Sequence, residues 1–71
     1  MPLYFFILEI GEKRIADESG TEFPDDGSAT TYAMRIIREL EEDSLDDRQS
    51  ELIVICGERE VFRARVRGAQ N

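Results

Sequence analysis

The sequence predicts a small α+β domain in the order β-β-α-β-β: a four-stranded antiparallel sheet of spatial order 2-1-3-4 with one helix packed on one face. Three observations lead there. A single amphipathic stripe, Ala29, Tyr32, Ala33, Ile36, Ile37 and Leu40, recurs at helical spacing between Ser28 and Asp43. Strand-like runs flank it on both sides, and two of these runs, Leu3 to Ile10 and Glu51 to Cys56, are apolar on both alternating faces, as central strands are.

The first strand carries Tyr4, Phe6, Leu8 and Ile10 on one face and Leu3, Phe5 and Ile7 on the other. Gly11-Glu12 makes a tight turn into a short polar second strand, Lys13 to Asp17, whose composition suits a sheet edge. Asp17 to Gly27 is rich in turn formers, with Phe23 expected to anchor beneath the helix and Asp25 or Asp26 to cap it. The helix exit lacks a glycine and crowds acids into the last turn, where the helix dipole disfavours them. The pairs Arg35 with Glu39 and Arg38 with Glu42 offset part of that cost. After the third strand, Gly57-Glu58-Arg59 turns the chain into a fourth, where Phe62, Ala64 and Val66 alternate with Val61, Arg63, Arg65 and Arg67.

A helix joining the second and third strands makes them parallel, and placing the first strand between them puts both doubly apolar strands in the middle. One helix covers one face only. It is expected on the side of Phe6, Leu8, Phe62, Ala64 and Val66, which leaves Phe5, Ile7, Ile53 and Ile55 on the open side, rimmed by Arg63 and Arg65.

At 71 residues the chain is expected to form a single domain over 1–71 with a thin stability margin. One cysteine, Cys56, and no histidine leave no internal disulfide and no Cys/His zinc site, so self-association is the remaining stabiliser. The apolar start ends at Glu9, too short to span a membrane and without a basic leader, and a cytoplasmic location is expected. The net charge of -7, with sixteen acids against nine bases, opposes binding to a phosphate backbone.

Met1-Pro2 with Tyr4-Phe5-Phe6, then Asp17-Glu18, Gly20-Thr21-Glu22 and Pro24-Asp25 opening a helix, resembles a bacterial family of small stand-alone proteins classed as a domain of unknown function. The resemblance implies the β-β-α-β-β outline and carries over no activity or site. The chain departs from that family's pattern at Ile7, where a polar residue is common, and in lacking a glycine after the helix. By topology alone it is also similar to sheet-and-helix antitoxin domains of the HicB type.

The acids from Glu39 to Asp47 lack the glycine turn of a calcium loop and read as a solvated face. The arginines Arg59 to Arg67 read as partners for Glu51 and Glu58 or for a neighbouring subunit, and Cys56 reads as a buried structural thiol. No catalytic, cofactor or metal constellation stands out. The expected function is that of a non-enzymatic interaction or regulatory module, without cofactor, using Phe5, Ile7, Ile53, Ile55, Arg63 and Arg65 for homodimerisation or for docking a protein. The alternative is a nucleic-acid-associated, antitoxin-like regulator using the arginines of the fourth strand.

Overall fold

The computed structural model describes residues 1–43 and 50–66, with the side chains of 1–41 and 50–66. The acidic cluster beyond Glu41, and Arg67 of the arginine stripe, lie outside the described side chains. The elements are β1 (Leu3–Ile10), β2 (Lys13–Ala16), β3 (Thr21–Glu22), α1 (Asp26–Asp43), β4 (Ser50–Cys56) and β5 (Arg59–Val66). The sheet is antiparallel in the order β2-β1-β4-β5, so the predicted topology holds. The strand count is corrected from four to five, because the short β3 also pairs with β1, at Leu3 and Tyr4, beyond the end of β2.

Both hairpins turn on the same Gly-Glu dipeptide. In the first, Ile10 pairs with Lys13 across Gly11-Glu12. Gly11 has φ 57° and no non-glycine residue among those described has positive φ, which is the signature of a type II′ turn and suits the twist of the flanking strands.

The segment joining β2 to β3 is held by Asp17, whose N–H donates to the Phe6 carbonyl at 3.1 Å and whose carboxylate accepts the Ser19 N–H at 3.3 Å. Gly20 then turns the chain at φ 78° against the β1 side chains. A Cβ there would stand 2.8 Å from Leu3 Cγ and 3.0 Å from Phe5 Cε2, so both the backbone conformation and the space require glycine.

Helix entry follows the sequence signal. Asp25 caps it, its Oδ1 accepting the Ser28 N–H at 2.8 Å, which satisfies one of the unpaired donors of the first turn. The stripe buries Ala29 and Ala33 completely against Tyr4, Leu52, Val54 and Val66, with Phe6, Leu8, Ile36, Ile37 and Leu40 packed around them. Two alanines at the contact let the helix approach the sheet closely.

One register feature differs from simple alternation. A bulge near Val54/Ile55 shifts the pairing, so that Phe62 lies opposite Val54 but Glu60 opposite Ile55 and Arg59 opposite Cys56. Val61, which alternation put on the open face, is the extra residue and packs against the core cluster instead. Glu60 takes the place beside Ile55, and Arg59 moves to the helix side. Cys56 is half-buried rather than buried.

Gly20→Ala is expected to destabilise the domain by about 1–3 kcal/mol, from the strained φ and the overlap with Leu3. Chemical denaturation followed by far-UV circular dichroism measures it, with a lowered midpoint at unchanged slope as the expected result.

Candidate functional site

Three side chains meet at the start of α1. The Tyr4 hydroxyl, on a ring only 1% exposed, donates to Asp26 Oδ1 at 2.7 Å. Arg59 closes on the same carboxylate with two bonds, Nη1 to Oδ2 at 2.8 Å and Nη2 to Oδ1 at 3.1 Å. Asp26 is in the first helical turn, where a negative charge is favoured by the helix dipole. The Arg59 guanidinium, then the Tyr4 hydroxyl, hold its carboxyl down to about 2. The same hydrogen bond, together with burial and the nearby negative charge, pushes the Tyr4 phenol up to about 12. The Tyr4 hydroxyl and both oxygens of the Asp26 carboxylate are bonded, so the cluster ties β1, α1 and β5 together.

The residues of the predicted interaction face do come to one face of the sheet. Phe5 lies opposite Ile55, Ile7 opposite Ile53, Ile53 opposite Arg63, and Glu51 opposite Arg65. They are not equally available. Ile7 and Ile53 are 6% and 4% exposed within the single chain, closed in by their strand neighbours, whereas Phe5 and Ile55 are half-buried. Leu3, 40% exposed, extends the apolar end beside Gly20.

The other end of this face is charged and internally compensated. Arg63 Nη1 lies 2.6 Å from Glu51, and its Nε and Nη2 donate to Glu60 at 3.1 and 2.8 Å. Glu9 and Arg14 approach to 3.9 Å across β1 and β2. The Arg63 guanidinium lowers the Glu60 carboxyl below its usual range, and the acids in turn raise Arg63. The expected partner Glu51 is thus realised, with Glu60 rather than Glu58 as the second acid.

On the helix side, an aromatic cluster fills the space beside β1. Phe23 meets Tyr4, Phe6 and Tyr32 at ring-centroid distances of 5.8, 6.0 and 5.4 Å, which is the anchoring expected of it. The space beside β5 is not filled. A groove of about 690 Å³ runs there between α1 and β5, with Ile37, Phe62 and Ala64 half-buried along it and Met34 59% exposed. Arg35, Arg38, Glu41 and Arg65 also line it.

The alternating pattern of β1 and β4 identified the open face. The Tyr4, Asp26 and Arg59 cluster was missed, because an inward tyrosine announces only that its hydroxyl needs some partner, and the bulge that delivers Arg59 has no mark in the sequence. Among the described residues there is no group of three metal-ligating side chains, and no helix is long and apolar enough to cross a membrane.

The architecture defines a two-layer α+β domain, one helix on a five-stranded antiparallel sheet. The chain belongs to the family described as a domain of unknown function (DUF6894), whose model matches residues 3–67. Comparison with curated proteins and with solved structures gives no match.

Because the folded pKa of Asp26 is depressed, its contribution to stability is present above the unfolded value near 3.8 and is lost as pH falls through about 2. Asp26→Asn should therefore flatten the acid limb of the stability-versus-pH curve between those values. The raised phenol of Tyr4 acts at the other end, where stability present below pH 10 is lost as pH rises towards about 12. Tyr4→Phe should remove that alkaline slope, with urea midpoints across pH as the readout.

Proposed function

We propose that the chain is a non-enzymatic interaction module whose helix-free sheet face docks a second copy of itself. One observation carries this reading: a face with no covering layer among the described residues holds an apolar end of Leu3, Phe5 and Ile55 beside an end where Glu9, Glu51 and Glu60 are offset by Arg14, Arg63 and Arg65. On a chain of net charge -7, a locally balanced face meets its own copy with little repulsion. A two-fold contact is self-complementary when one patch carries both the apolar centre and both signs of charge.

The size of the domain supports the same reading. A single helix on a sheet of this length leaves a marginal core, and burying a second sheet face is the remaining source of hydrophobic stabilisation. Arg63 contributes as a rim residue through its stem, since its charged head is already bonded to Glu51 and Glu60. The phosphate-binding alternative loses ground here, because Arg59 and Arg63 are both committed to carboxylates of the chain itself.

Sedimentation equilibrium over a wide concentration range is expected to show a monomer-dimer equilibrium at moderate salt. Ile55→Lys, at a half-buried position, should weaken the dimer by about tenfold or more while leaving the far-UV spectrum unchanged. A monomer at all concentrations, or a dimer indifferent to that change, overturns the reading.

A further inference from the structure

We infer that the groove between α1 and the outer edge of β5 takes up an extended acidic segment of a partner protein, which adds to the sheet as a strand beside β5. The inference deepens the reading of the chain as an interaction module, but it uses a surface other than the helix-free face.

Geometry supplies the first argument. Among the described residues β5 pairs only with β4, so along its 8 residues the backbone N–H and C=O groups of the outer edge have no strand partner. Such an edge is a template for a further strand, with backbone hydrogen bonds supplying affinity. Beside it the groove offers apolar walls from Met34, Ile37, Phe62 and Ala64, where alternate side chains of an added strand would be buried.

Charge names the occupant. Arg35, Arg38 and Arg65 line the groove, and no acid among the described residues lies within 4.0 Å of any of them, in contrast to Arg59 and Arg63; the expected pair of Arg35 with Glu39 is not formed, and the side chain of Glu42, expected to pair with Arg38, lies outside the described residues. With Glu41 the one acid among the described lining residues, three guanidinium groups leave the groove locally positive, and their planar forks suit carboxylates. A second copy of β5 is a poor occupant. In a continuous sheet, two-fold antiparallel pairing of β5 with itself centred at Arg63, Ala64 or Arg65 sets Arg63 opposite Arg63, Arg63 opposite Arg65, or Arg65 opposite Arg65, and like charges directly opposite are destabilising. A nucleic acid is also a poor fit, because a phosphodiester backbone neither pairs with a strand edge nor fills the apolar walls.

The test uses the whole chain and an end-blocked peptide of 8 residues, the length of β5, with valine and glutamate in turn at the alternate positions that face the groove and threonine between them, followed by fluorescence anisotropy. Saturable binding is expected, weakened about tenfold in the Arg35→Gln/Arg38→Gln variant and about as much when alternate peptide amides are N-methylated. A lysine-valine peptide should bind at least about tenfold more weakly. The inference is overturned by absence of saturable binding, by equal binding of the lysine-valine peptide, by indifference to the arginine changes or to N-methylation, or by an oligothymidylate of equal length binding as tightly. The two surfaces share Arg65 at the outer edge, and variants elsewhere separate them. Ile55→Lys should leave peptide binding intact while weakening the dimer, and Arg35→Gln/Arg38→Gln should leave the molar mass unchanged while weakening the peptide. A molar mass that falls with the arginine changes would instead seat the second copy in the groove and overturn the inference.

Discussion

The Asp26 carboxylate, shared between the Tyr4 hydroxyl and the Arg59 guanidinium, joins the central strand, the helix start and the outer strand at a single point. Position explains its importance. The helix residues fully buried against the sheet are small, Ala29 and Ala33, which allow close approach but bring little side-chain area of their own, and Ile36, Ile37 and Leu40 around them are only partly buried. Tyr4 is among the largest fully buried side chains, and its burial contributes on the order of 1.5–3 kcal/mol only if its hydroxyl is not left without a partner. Asp26 provides that partner, and the helix dipole and Arg59 keep Asp26 ionised to do so. The bulge in β5 completes the arrangement by turning Arg59 to the helix side.

The remaining layout follows from one helix covering a wider sheet. Strands spaced at about 4.8 Å make a sheet of this order broader than a helix about 10 Å across, so some of each flank is left uncovered. On the β1 side Phe23, brought in by the loop before the helix, fills the gap with Phe6 and Tyr32. On the β5 side no segment among the described residues does so, and a groove results. The face away from the helix has its own solution: Ile7 and Ile53 sit deep between neighbouring side chains, and Arg63 lies bonded to acids on both sides of it. The surfaces proposed for self-association and for an acidic strand therefore have the same origin, the shortage of covering elements in a chain of 71 residues.

Much of the fold was legible in the residue pattern, because each signal is local. Helical spacing in Ala29 to Leu40, two doubly apolar runs, Gly-Glu turns and an aspartate before Ser28 each act within a few residues, and together they dictate the element order, the central strands and the helix entry. Family membership was also carried by local motifs, and the match over residues 3–67 agrees with them. What only the tertiary structure decided depends on distant residues meeting. The bulge that moves Val61 to the core and Arg59 to Asp26 is a property of two paired strands, not of either alone. Which arginines are neutralised and which are left to line a groove rests on through-space partners, and the sequence shows charge without showing pairing. Burial of Ile7 and Ile53 is likewise set by neighbours across the sheet, so alternation revealed their face while packing alone determined how much of it remains for a partner.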